Sequence, residues 1–316
     1  MGTVPIKGRI CNIEDWKGAR GMRTAVMTDS NSGISKEEAD RLGIFLLPMP
    51  VIIDSDIYYE GINLDQQFFY KSLTEGHDVS TSQPSPGDVM DRWKQILADG
   101  YDEIIHIPMS SGLSSSCATA IGLAEDFQGK VEVADNHRIS VTLRISVMEA
   151  LHMAKAGKSA KEIKEELEKR AYDSSIFIAV DDLKYLKKGG RVTPAAAALG
   201  TVFNIKPVLT IQGEKLDAFA KTRGMKKAKA IMLKALKEDL EKRFPGIDPK
   251  YVRVGAAGAG LSKEESGEWQ AMLQETFPDV QVYYDHLSFS VGSHTGPGAY
   301  GMGFSIVQDP LVGKNS

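Results

Sequence analysis

The chain has 316 residues, 42% of them hydrophobic and 25% charged, with a formal net charge of −4. That balance fits a globular protein long enough for two domains, and it lacks the basic surplus of a nucleic-acid binder. No run reaches the ~18 apolar residues that a bilayer span needs, so stable membrane insertion is not expected. Residues 1–22 read as an extension that alternates charges with small residues and holds no apolar signal-peptide core. They also miss the myristoylation pattern, because position 6 is Ile. The two cysteines, Cys11 and Cys117, form no metal or redox spacing, and a cytoplasmic setting is expected.

A first strand over Arg23–Met27 ends in the polar cluster Thr28-Asp29-Ser30, a common place for a site in a parallel α/β sheet. Asn31-Ser32-Gly33 then turns into a helix whose Ser35 and Glu38 have capping-box spacing. Apolar runs from Ile44 to Ile53 and a short helix over Asp65–Leu73 come next. In Ser80-Thr81-Ser82-Gln83-Pro84-Ser85-Pro86 the two prolines predict a stiff, extended loop that displays hydroxyls and one amide. Val89, Met90, Trp93, Ile96 and Leu97, three and four apart, predict a helix over Gly87–Asp99.

The first half is organised around Ser110-Ser111-Gly112-Leu113-Ser114-Ser115-Ser116, which follows the apolar run Glu103–Pro108 and precedes a helix predicted over Ala118–Asp126. A strand, a hydroxyl-rich turn and a helix start offer backbone N–H groups and side-chain hydroxyls to a small anion. The same serines also serve as ordinary helix caps. A strand over Lys130–Asp135 and a long helix over Ser140–Ala156 complete the alternation. Strands separated by helices require crossover connections, which predicts a first α/β domain over 23–157 built on an open, mostly parallel sheet with helices on both faces.

The second domain, 158–316, opens with a strongly charged helix running to Lys169-Arg170. A strand over Ser175–Val180 leads to a short helix within Asp181–Arg191, with Lys187 and Lys188 in its last turn before Gly189-Gly190. Val208–Ile211 and Leu216–Ala220 read as a hairpin, and Lys221-Thr222-Arg223-Gly224 leads into an amphipathic helix over Met225–Arg243. Alternation resumes with a strand at Val252–Ala256, a helix at Glu264–Thr276 and a strand at Val280–Tyr284. The chain then closes on the Gly-rich stretch Ser293–Phe304.

Several reactive readings fail on their surroundings. Gly296–Gly301 spells G-x-G-x-x-G, but too little chain follows for the helix, second strand and acidic residue of a dinucleotide site. No P-loop pattern occurs, and the six histidines stand at no metal spacing. A hydrolase or transferase acting on a small carboxylate or phosphoester through Ser114 and His294, with Asp29 as the acid, is the alternative reading, although no G-x-S-x-G elbow supports it. What remains is many neutral hydroxyls, His294 in a Gly-rich turn and two basic loops. Hydroxyls bind a carboxylate or phosphate without titrating, which suits holding an acid.

Six motifs, in order, resemble the landmarks of the DegV family: Thr28-Asp29-Ser30, Thr81–Ser85, Ser110–Ser114, Leu183–Arg191, Asn204-Ile205-Lys206-Pro207 and His294–Gly298. The resemblance covers about residues 23–308 and implies two α/β domains, the second a smaller α/β sandwich, with a long-chain fatty acid buried between them. It implies no catalysis by the chain itself and no cofactor, but service as the carrier subunit of a bacterial fatty-acid kinase. There a separate ATP-binding subunit phosphorylates the acyl carboxylate for phospholipid synthesis. Carried over by motif, Thr81 and Ser111 hold the carboxylate with Ser82, Ser114 and His294 close by, Thr28, Asp29 and Ser30 lie near, and Arg191 and Arg223 face the kinase. Arg beside a transferring phosphoryl group helps neutralise its charge. The chain departs from the family after Ser114, where Ser115-Ser116-Cys117 replace the usual Gly-Thr-Tyr. Burying about fourteen methylenes at ~0.8 kcal/mol each is worth on the order of 11 kcal/mol before association costs, so the tail dominates affinity and the hydroxyls set orientation.

Overall fold

The structure, a computed structural model, describes residues 22–199 and 205–313. Cys11, Asn204 and the expected extension, apart from Met22, lie outside the described residues.

Strands β1 (Thr24–Asp29), β2 (Ile44–Leu47), β6 (Glu103–Ile107) and β7 (Val131–Val133) form a wholly parallel sheet in the order β2-β1-β6-β7. Side chains alternate across β1, because successive residues of a strand point to opposite faces. Ala25 and Met27 join Trp93 and Ile96 of α3 (Pro86–Ala98) and Cys117 of α4 (Ser116–Ala124). Val26 joins Ile105 and Ile107 on the face covered by α1 (Lys36–Leu42), α5 (Ser140–Lys155) and α6 (Ala160–Lys169). Helix α6, which the sequence reading puts beyond the boundary at 157, packs on β6 and β7 through Ala160, Ile163 and Leu167.

A second sheet runs β10-β9-β8-β13-β11-β12, from β8 (Ser174–Ala179), β9 (Lys206–Ile211), β10 (Asp217–Thr222), β11 (Val252–Ala259), β12 (Val282–His286) and β13 (Ala299–Ile306). One face packs Phe177, Val254, Met302 and Phe304 against α9 (Met225–Arg243) and α10 (Lys263–Thr276), where Trp269 is fully buried. The other face meets α5. This helix therefore lies between the two sheets, and every residue from Ser140 to Ala150 is buried. It packs so closely that a Cβ at Gly255 would fall 2.7 Å from Val141 Cβ, and one at Gly303 would fall 3.2 Å from the side chains of Val141 and Thr142. Its two central charges are matched: Arg144 grips Glu38 of α1 with both terminal nitrogens and reaches Asp285 of β12 at 3.4 Å, while Glu149 accepts from Arg170 at 2.9 Å.

The demand of Arg144 explains a departure from the capping-box expectation. Ser35 accepts the Glu38 N–H at 3.2 Å, but the Glu38 carboxylate serves Arg144 instead of returning to Ser35. A buried guanidinium left without its counter-ion costs more than the second half of a capping box yields.

A third sheet, β4-β3-β5, is antiparallel and consists of β3 (Pro50–Ile53), β4 (Asp56–Tyr59) and β5 (Val79–Thr81). With α2 (Gln66–Glu75) it encloses a small core of Val51, Phe69, Leu73 and Val79 that also receives Phe289 from α11 (Phe289–Thr295). The Gly-rich closing stretch, expected as a turn, thus divides into the end of a two-turn helix and a central strand. Among the described residues, no helix is long and apolar enough to cross a membrane.

Candidate functional site

A cavity of about 300 Å³ opens between the two large sheets. Its floor is the α5-facing side of the second sheet, with Ile176, Ile178, Ile211, Ala257 and Gly301, and Met49, Met109, Val141 and Leu287 continue the apolar wall. Its polar end gathers Thr81, Ser82, Gln83, Ser114, Ser115, Arg191 and His294. Among the described residues, no Asp or Glu lines the cavity, and Arg191 is the one Lys or Arg that does.

Three elements supply that polar end. Thr81 closes β5, and the loop after it ends where Ser85 accepts the Asp88 N–H and Pro86 takes the first position of α3, where a missing N–H costs nothing. Ser82 hydroxyl donates to the Gln83 carbonyl at 2.9 Å, and the Gln83 amide oxygen accepts from Thr119 at 3.1 Å. The turn at 110–114 is closed by N–H groups of Leu113 and Ser114 donating to the Ser110 carbonyl, and Ser114 Oγ accepts the Ser116 N–H at 3.2 Å. Helix α11 brings His294, whose Nε2 lies 2.7 Å from Thr81 Oγ1. Burial, helped by the Arg191 charge, pushes the His294 imidazole down to about 4, so it is neutral near pH 7.

Arg191 is half-buried at the mouth. Its Nε donates to the Leu113 carbonyl at 3.2 Å, and one terminal nitrogen donates to the Gly189 carbonyl. Those two bonds hold the guanidinium beside His294 and leave donors of the fork unspent. Gly189 is fitted to the same neighbour, since a Cβ there would overlap the His294 ring.

Other sequence-predicted residues stand elsewhere. Ser111 is exposed, its N–H donates to Asp135 at 3.3 Å, and it is not among the residues that line the cavity. In the same turn Ser110 points inward and donates to the Gly213 carbonyl of the β9–β10 connection. Thr28 donates to the Ile107 carbonyl, and Ser30 Oγ accepts the Met49 N–H. Asp29 is buried, accepts from the N–H groups of Asn31 and Met109, and is pushed up to about 6 by burial. These three brace the end of β1 outside the cavity. Arg223 is exposed on the connection between β10 and α9. The Ser114, His294 and Asp29 set needed for triad chemistry is not assembled, because His294 pairs with Thr81 while Asp29 is occupied by backbone. No group of three or more His, Cys, Asp or Glu among the described residues could hold a metal ion.

Sequence reasoning did not single out Gln83, Ser115 or Ser290 as lining residues. For Ser115 a signal existed, since it falls where the chain departs from the family pattern. Ser290 stands four residues before His294 on a helix with no periodic apolar pattern to announce it.

Residues 23–307 match the DegV family model, described as "Uncharacterised protein, DegV family". A DegV domain-containing protein of Listeria innocua is 32% identical over 286 residues, covering 90% of this chain and 99% of that relative. Protein DegV of Bacillus subtilis is 30% identical, covering 89% of this chain and 98% of its own length. Among solved structures, a fatty-acid-binding DegV family protein from Thermus thermophilus superposes with a TM-score of 0.80 at 29% identity, covering 90% of this chain and 100% of that one. DegV of Bacillus subtilis, a fatty acid binding protein, gives 0.77 at 28% identity, covering 90% and 99%. Fold, motif order and near full-length similarity agree, and the chain belongs to the DegV family.

Proposed function

We propose that this chain binds a long-chain fatty acid, with the tail in the apolar cavity and the carboxylate at its polar end, and presents that carboxylate to a separate ATP-dependent kinase subunit. The observation that carries the reading is the asymmetry of the cavity: an apolar floor and wall, neutral hydroxyls and a neutral imidazole at one end and, among the described residues, one cation and no carboxylate. An anion with a long apolar tail satisfies both halves, because the apolar surface supplies affinity and hydroxyl and guanidinium donors fix the charged end. The DegV proteins of Thermus thermophilus and Bacillus subtilis described above as fatty-acid-binding support the ligand class. Thr81, Ser114 and His294 are assigned to the carboxylate, Ser82 and Ser115 to its surroundings, and Arg191 to the carboxylate and the incoming phosphoryl group.

Native mass spectrometry of protein purified from bacteria tests the binding. The expected spectrum shows the chain carrying one long-chain acid, and protein that arrives empty and takes up no fatty acid on titration overturns the reading. For presentation to a kinase, Arg223 is the discriminating residue, since it is exposed and outside the cavity. The Arg223→Ala variant is expected to keep its fatty acid yet support less acyl-phosphate formation with an ATP-binding kinase subunit. Equal formation by wild type and variant removes Arg223 from that role.

A further inference from the structure

We propose that Glu60 is a positioning residue for the carboxylate end of the cavity, acting through α11 to set where His294 meets Thr81. The inference rests on the fatty-acid reading above, and it concerns a residue that does not line the cavity.

Glu60 follows β4 in a turn that braces itself. The Tyr59 N–H donates to the Asn63 side chain at 2.6 Å, and the N–H groups of Ile62 and Asn63 donate to the Tyr59 carbonyl at 3.2 and 3.1 Å. From this turn the Glu60 carboxylate accepts the N–H of Phe289, the first residue of α11, at 2.9 Å. A helix of two turns has too few internal hydrogen bonds to hold its own place, so its seat must come from elsewhere in the chain. One side of the seat is aromatic: the Phe289 ring stacks on Phe69 with centroids 4.6 Å apart. Gly292 lies so close that a Cβ there would fall 3.1 Å from the Phe69 ring and 3.2 Å from the Tyr70 hydroxyl. Ser290, Val291 and His294 turn the other way and line the cavity.

Stacked rings resist separation but permit sliding along the helix axis. The bond from Phe289 to Glu60 is directional, and it opposes that sliding. It also satisfies one of the N–H groups that a helix start leaves unpaired. Thr81 ends β5 of the same small sheet that begins the Glu60 turn, so the anchor of α11 and the partner of His294 belong to one piece of structure.

The test compares palmitate with 1-hexadecanol, which shares the tail and lacks the carboxylate. Glu60→Leu is expected to weaken palmitate binding by about three- to tenfold, the worth of one hydrogen bond, and to leave hexadecanol unchanged. Glu60→Gln keeps an acceptor oxygen and is expected to restore palmitate binding. In a His294→Ala background, Glu60→Leu is expected to have no further effect on palmitate. Equal losses for both ligands, no loss for either, failure of Glu60→Gln to restore binding, or additive losses with His294→Ala each overturn the proposal. If Glu60→Leu does not fold, Glu60→Asp, which withdraws the acceptor by one methylene, takes its place with the same expectations. Wild-type protein that binds neither ligand overturns the fatty-acid reading as well, whereas wild type and Glu60→Leu binding palmitate equally overturn this inference alone.

Discussion

Gly189 and His294 show how far single residues define the polar end. The imidazole occupies the space that any side chain at 189 would need, so Gly189→Ala must displace the ring from Thr81. Losing that bond is worth about 1 kcal/mol, so fatty-acid affinity is expected to fall roughly fivefold by displacement of a fluorescent fatty acid. His106 poses a different problem. It is buried edge-on to Trp93 with neither ring nitrogen hydrogen-bonded among the described residues, and burial pushes its imidazole down to about 3. Below the ordinary histidine value of about 6.5 the unfolded chain binds a proton that the folded chain refuses. The contribution of this residue to stability is therefore complete above pH 6.5 and is lost as pH falls toward 3, by on the order of a few kcal/mol. His106→Phe is expected to flatten that part of the dependence in denaturant titrations run at pH 7, 6, 5 and 4. An unchanged slope would mean that another group sets it.

At the scale of elements, α11 and β13 are formed by their surroundings more than by their own residues. Helix α11 reads Phe-Ser-Val-Gly-Ser-His-Thr, a sequence of weak helix formers, and its Phe289 anchor is buried against Phe69. Phe289→Ala is expected to cost about 3 kcal/mol and to speed hydrogen exchange in α11 before other helices. Such elements were the hardest to read. Strands β1, β6 and β8 and helices α3 and α9 announce themselves through apolar runs or helical spacing, whereas Gly301 and Gly303 disguise β13 as a loop. The reason for Gly303 is the close passage of the Ser175 carbonyl, a contact between residues more than a hundred positions apart. For the site, the hydroxyl-rich loop and turn were legible, but which of their residues line the cavity depends on contacts distant in sequence. Ser115 lines the cavity and Ser111 does not, in a turn whose Ser110 hydroxyl is held by the Gly213 carbonyl and whose Ser111 N–H is held by Asp135.

Across the whole molecule, charge pairing ties the parts together where the cavity separates them. Arg144 of the central helix joins Glu38 beside the first sheet to Asp285 in the second. Removing the guanidinium would strand two carboxylates, one of them buried, so Arg144→Met is expected to cost about 3–5 kcal/mol, measured by urea denaturation. A neighbouring tie is neutral, with the Ser288 hydroxyl donating to the Asn31 side chain at 2.7 Å. Both lie on the segment that leads into α11, so a loss there is also expected to weaken ligand binding.

Each half has a cluster of its own, around Trp93 in the first and Trp269 in the second, but the largest core is shared across helix α5, which both sheets enclose. One cluster of buried side chains runs from Val26 and Ile105 through Leu143 and Val147 to Ile178 and Leu209. Cutting the chain at residue 157 would leave α5 with one bare side and the second sheet with an uncovered face. The halves should therefore lack autonomy: residues 23–157 made alone are expected to aggregate or remain unfolded. The intact chain is expected to melt in one cooperative step, with calorimetric and van't Hoff enthalpies that agree, as for a single domain. A chain built this way cannot open its cavity by letting one half unfold while the other stays folded.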